Sequence, residues 1–131
     1  MDSIATGAQG LANKVMALAQ QPLNMGQIAD AHGVGFEGSA CGDWVRMWIK
    51  LDATGRIDDA KFQAYGCASA LASSSVLTEL AKGKTVAEAL AVTADDVMAI
   101  LGGLPEQKTH CSVLSYTAYR NALEACPVQK Y

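Results

Sequence analysis

No Cys-x-x-Cys pair occurs anywhere in this chain of 131 residues, although it holds four cysteines. Zinc fingers and ribbons grip their metal with closely spaced cysteine pairs, so that architecture is excluded. Basic charge is not in excess either. The formal net charge is −3, without the basic footprint of a nucleic-acid-binding domain. No apolar run approaches the length of a membrane span. The opening Met1-Asp2-Ser3-Ile4 lacks the basic and apolar stretches of a secretory signal, and no Arg-rich transit peptide is visible. Internal repeats, low-complexity tracts and linkers are missing too. What remains is an expectation of one domain over residues 1–131. It is cytoplasmic, with neither nucleic acid nor membrane among its partners.

Half of the residues are hydrophobic, and many of those are alanine, which favours closely packed helices beside a modest sheet. Leu11, Val15 and Leu18 repeat at helical spacing, so a first helix is expected to run to about Gln21, before Pro22. Residues 23–34 read as loop, and residues 34–40 as a short strand carrying Phe36. From Trp44 to Leu51 the chain alternates. Val45, Met47, Ile49 and Leu51 fall on one face, and Trp44, Arg46, Trp48 and Lys50 on the other. Asp52-Ala53-Thr54-Gly55 is a hairpin loop, and Arg56 to Tyr65 is the returning strand.

The remainder reads as helix. One helix spans Cys67 to Lys82, stopped by Gly83, with Ala68, Ala72, Val76 and Leu80 in a row. A short one opens on the capping-box pattern Thr85-Val86-Ala87-Glu88. A third starts at Thr93 to Asp96 and ends at Gly102-Gly103. The last runs from His110 to Ala125, with Leu114, Ala118, Ala122 and Ala125 as its buried stripe. Strands early and helices late give an α+β fold: a small antiparallel sheet of about three strands, covered on one face by four to five helices.

The chemistry lies in the cysteines. Cys41 and Asp43 stand two apart in the small-residue run Gly38-Ser39-Ala40-Cys41-Gly42-Asp43, a tight loop feeding a strand. Cys67 follows Gly66 at a helix N-terminus, where unpaired N–H groups favour an anion. Cys111 begins the last helix beside His110 and three residues from Lys108. Both settings favour thiolate, the form that ligates metal and attacks sulfur. In a reducing compartment such cysteines read as metal-binding or reactive thiols before they read as disulfides; two disulfide pairs are the alternative. Thiolates select zinc, cuprous copper or iron–sulfur clusters. Cys126 stands about four helical turns from Cys111, roughly 22 Å at 1.5 Å per residue, too far to share a site. The predicted site therefore has Cys41, Cys67 and Cys111, with Asp43 or His110 as a fourth ligand. Electron-transfer clusters are typically held by four cysteines. Three thiolates and a harder donor make a more exchangeable site, suited to a protein that builds a cluster and passes it on.

The run around Cys41, together with Ala60-Lys61-Phe62-Gln63-Ala64-Tyr65-Gly66-Cys67, resembles the IscU family and the N-terminal domain of NifU. So do Ala72-Ser73-Ser74-Ser75, Gly83-Lys84-Thr85, Leu101-Gly102-Gly103-Leu104-Pro105 and Lys108-Thr109-His110-Cys111-Ser112. The resemblance runs in order from about Asn13 to Ala125. It implies a non-enzymatic scaffold that takes sulfur as persulfide from a cysteine desulfurase. Such a scaffold gathers iron, holds a transient [2Fe–2S] cluster and releases it to iron–sulfur acceptor proteins. Carried over, Cys41, Cys67 and Cys111 are the ligands and sulfur acceptors, with Cys111 the favoured acceptor. Asp43 ligates metal and tunes release, His110 is the alternate ligand, and Lys108 is a neighbouring charge. Zinc is implied in the cluster-free form, and a zinc-bound persulfide relay of the same family is the alternative reading. A homodimer or trimer fits the same expectation. The IscU branch has Leu-Pro-Pro-Val-Lys where this chain has Leu104-Pro105-Glu106-Gln107-Lys108, which leaves chaperone contact open. The family's N-terminal aromatic–Asn–Pro run is replaced by Leu18-Ala19-Gln20-Gln21-Pro22. No counterpart of NifU's C-terminal domains is seen.

Overall fold

The computed structural model describes residues 17–40, 42–66, 68–101 and 109–127, with only the helical backbone over 109–112. Among these, three strands form one antiparallel sheet in the order β1 (Gly33–Gly38), β2 (Trp44–Leu51) and β3 (Ile57–Tyr65). Helix α1 is described over residues 17–20. It is followed after the sheet by α2 (Ala68–Ala81), α3 (Val86–Leu90), α4 (Ala94–Leu101) and α5 (Thr109–Ala125). The α+β class and the three-stranded sheet agree with the sequence reading. Of the predicted features, the first helix's start near Leu11 and the Gly102-Gly103 stop lie outside the described residues.

The alternation in β2 sets the sheet's inner face. Val45, Met47 and Ile49 are fully buried there, beside Ala60 and Phe62 of β3. Asp52 fixes the β2–β3 turn: its backbone N–H donates to Arg56 O at 2.8 Å, and its carboxylate accepts from Thr54 N at 2.9 Å. The Thr54 hydroxyl, bonded to the same oxygen, holds the Asp52 carboxyl below the usual range. Helix α5 lies on β1 and β2, α2 lies on β3, and the two helices pack together. Close approach of α5 to β1 depends on Gly35, where an added Cβ would fall 2.2 Å from Ala118 O and 2.3 Å from Ala122 N. Tyr119 fills the space between α5 and α3, fully buried, its hydroxyl donating to Ala89 O at 2.7 Å.

Two helices open on reciprocal caps. Thr85 and Glu88 form the predicted capping box. Thr93 and Asp96 form a second: Asp96 N donates to Thr93 Oγ1 at 3.2 Å, and Thr93 N to Asp96 Oδ2 at 2.9 Å.

One expectation is corrected and two are extended. Ala125 is exposed, and the buried stripe of α5 instead continues through Leu123 to Cys126. Helix α2 buries far more than one row, including Ser73, Ser74, Ser75 and Thr78. It sits between β3, α5 and α4, so its small polar residues are enclosed and must bond internally. Trp48 lies on the outer face as expected and is only 8% exposed. The cause is the segment after α1. Phe62 N donates to Asn24 O at 3.0 Å and Gly26 N to Phe62 O at 2.8 Å, which seats residues 24–26 along the free edge of β3. Since β1 lies at the opposite edge, residues 27–32 cross the outer face to reach it. Lys50 Nζ holds this strap through Asp30 Oδ2 at 2.8 Å, and Leu51 N donates to His32 Nδ1 at 3.0 Å.

Candidate functional site

The strand ends seat Asp43 beside Gly66. The last registered pair of β1 and β2 is Gly38 with Trp44, and Trp44 is in turn opposite Tyr65 of β3. The β1–β2 connection is tight: Ser39 N donates to Asp43 O at 2.8 Å, Gly42 N donates to Ser39 O at 3.0 Å, and Gly42 has φ +96°. One step past the Trp44–Tyr65 pair, Asp43 stands across from Gly66. A Cβ built on Gly66 would fall 2.9 Å from Asp43 Cγ and 3.1 Å from Oδ2. The half-buried Asp43 carboxyl therefore rests against the residue preceding position 67.

The start of α5 comes to the same end of the sheet. This helix runs antiparallel to β1: a Cβ on Gly33 would meet Ala122 and Cys126, and one on Gly35 would meet Ala118 and Ala122. Gly38 lies roughly 10 Å beyond Gly35 along the strand, about seven residues of helix. The first turns of α5 thus come level with the 39–43 turn. A buried hydroxyl chain ties that end to α2. Ser74 donates to Ser115 Oγ at 3.0 Å, and Ser115 donates to Ala70 O at 3.2 Å, in the first turn after position 67.

Of the predicted site residues, Asp43 is described in full and lies at this end. Cys41, Cys67 and Lys108 fall outside the described residues. His110 and Cys111 are placed only as backbone in the first turn of α5. Among the described residues, no three His, Cys, Asp or Glu side chains gather around a point. Cys126 lies elsewhere, at the Gly33 end of β1, 3% exposed, its thiol donating to Ala122 O at 3.5 Å. Burial pushes its pKa up to about 11, the opposite of what a ligand or nucleophile needs. Sequence reasoning missed Ser115, which no local pattern marks. It also missed the contact that makes Gly66 more than a helix-start glycine, although Gly66 was already singled out with Cys67.

At this end Asp43 offers a hard carboxylate oxygen, a donor that holds a soft metal less firmly than thiolate does.

Comparison with known proteins gives a consistent picture. The family model described as the NifU-like N terminal domain matches residues 11–130. The iron–sulfur cluster assembly scaffold protein IscU 1 of Archaeoglobus fulgidus is 52% identical over 112 residues, covering 85% of this chain and 72% of that protein. The iron–sulfur cluster assembly scaffold protein IscU of Haemophilus influenzae is 43% identical over 114 residues, covering 84% of this chain and 90% of that protein. The crystal structure of a NifU-like protein (N-terminal) from Brucella abortus superposes with a TM-score of 0.68 at 23% identity, covering 88% of this chain and 94% of that one, a likeness of fold. The chain belongs to the family of NifU-like N terminal domains.

Proposed function

We propose that this protein is a non-enzymatic scaffold on which a [2Fe–2S] cluster is assembled and from which it is released to acceptor proteins. The cluster is cargo. Cys41, Cys67 and Cys111 are its thiolate ligands, Asp43 supplies an oxygen, and His110 is the alternate donor. Sulfur arrives as persulfide from a cysteine desulfurase, with Cys111 as the thiolate that takes it, and zinc occupies the same donors when the cluster is absent. Residues 1–131 act as one unit, in the cytoplasm, with self-association into a homodimer or trimer. None of the chain's described helices is long and apolar enough to cross a membrane.

The observation that carries this reading is the seat of Asp43 against Gly66. It joins the loop that contains position 41 to the residue before position 67, and both lie level with the first turn of α5. A carboxylate held among thiolates favours exchange over permanent binding, because oxygen donors hold soft sites less firmly than sulfur does. The test is anaerobic reconstitution with ferrous iron and sulfide, followed by mixing with an apo-ferredoxin. A scaffold gains visible absorption and then loses it to the ferredoxin. A protein that gains none, or keeps its cluster when the acceptor is added, is not a scaffold of this kind.

A further inference from the structure

We propose that Gly66 is a positioning residue for Asp43, and that the pair sets the rate at which the cluster leaves. This rests on the scaffold reading above. Neighbouring residues across a sheet usually keep their Cβ atoms about 4.5–5.5 Å apart. Here the Asp43 side chain lies where a Cβ of residue 66 would project: 2.9 Å from Asp43 Cγ, 3.1 Å from Oδ2 and 3.2 Å from Asp43 Cβ. Gly66 has φ +158°, at the edge of the region that favours glycine. The Trp44–Tyr65 pair immediately before fixes the two backbones relative to each other, so the strands do not separate to admit a methyl group. The aspartate is the part that yields, by turning its carboxylate away.

Glycine at this position is therefore what keeps the oxygen donor against the peptide that leads into position 67. Any other residue there moves the carboxylate off the site while leaving every predicted thiol in the chain. Gly66→Ala should behave as Asp43→Ala does, assembling a cluster that leaves slowly.

The experiment compares wild type, Gly66→Ala, Asp43→Ala and the double variant, each reconstituted anaerobically with ferrous iron and sulfide. Transfer half-time to an apo-ferredoxin, visible circular dichroism of the bound cluster and the urea midpoint of the cluster-free protein are read for each. The expected result is that all three variants transfer more slowly than wild type, with half-times agreeing within about twofold, because removing either partner abolishes one shared contact. Their dichroism spectra coincide and differ from wild type. A Gly66→Ala protein that transfers at the wild-type rate overturns the proposal, as does an Asp43→Ala protein that does so. A double variant slower than Asp43→Ala also overturns it, since the glycine then acts through backbone strain. Should Gly66→Ala unfold, recovery of the urea midpoint in the double variant supports the contact, and failure to recover refutes it. A wild type that gains no visible absorption defeats the scaffold reading itself, and this proposal with it.

Discussion

Ser115, one helical turn beyond Cys111, donates its hydroxyl to the Ala70 carbonyl at 3.2 Å and accepts from Ser74 at 3.0 Å, fully buried between α5 and α2. These are the two helices that start at the candidate site, so this bond helps fix their separation there. Ser115→Ala removes the acceptor for Ser74 and the donor to Ala70 in the buried interior. The expected cost is about 1–2 kcal/mol, read as a lower urea midpoint with unchanged slope. A midpoint equal to wild type would contradict the role given to this bond.

Gly35 carries a larger penalty. A methyl group there meets backbone atoms of α5, at 2.2 Å and 2.3 Å, and backbone cannot rotate aside. Gly35→Ala must push α5 off β1. The expected destabilisation is about 3 kcal/mol or more, above the usual range for a single substitution. Thermal unfolding followed by far-ultraviolet circular dichroism checks it; a shift of only a degree or two would mean that helix and strand tolerate wider spacing.

The contrast between Gly35 and the residues around it shows what was legible in the sequence. Strand β2 was read correctly because Val45, Met47 and Ile49 repeat with the period of a pleated strand and face the helices. The Thr85–Glu88 cap was legible because both of its hydrogen bonds are local. Trp48 lies on the outer face as read, but its burial was not legible, because the strap on that face comes from residues 27–32, far away in the chain. Ala125 was misassigned for a related reason: α5 ends at that residue, and the chain then places Cys126, not Ala125, against Gly33. At the site, the tight loop that feeds β2 was legible from its run of small residues. The Asp43–Gly66 seat was not, since it arises from pairing between strands, and no residue type signals a missing Cβ's neighbour.

Cys126 makes stability depend on alkaline pH. Burial raises its folded pKa from the ordinary thiol value of 9.0 to about 11. The native state thus favours the neutral thiol. That contribution is complete below the unfolded pKa and is lost as pH rises through the folded value. By pH 11 the loss should be about 2 kcal/mol. Urea unfolding of wild type and Cys126→Ala between neutral and alkaline pH isolates it. The wild type should lose more stability than the variant, and parallel curves would show that the thiol is not shielded.

Asp43→Ala should slow cluster loss. Removing the oxygen donor leaves the thiolates, and sulfur holds a soft metal more firmly than oxygen. The expected transfer half-time to an apo-ferredoxin is several-fold longer, about fivefold for a change near 1 kcal/mol in the barrier. A turn-forming role alone would change the urea midpoint and leave transfer untouched. Equal or faster transfer by the variant would remove Asp43 from the site.

The central claim is that three of the four cysteines hold the cluster and one does not. Four single variants test it: Cys41→Ser, Cys67→Ser, Cys111→Ser and Cys126→Ser, each reconstituted anaerobically with iron and sulfide and read by visible absorption at equal protein concentration. The account predicts that the first three lose most of the cluster absorption and that Cys126→Ser keeps it, since Cys126 is enclosed at the Gly33 end of β1. Full absorption in any of the first three, or its loss in Cys126→Ser with the fold intact, would contradict it.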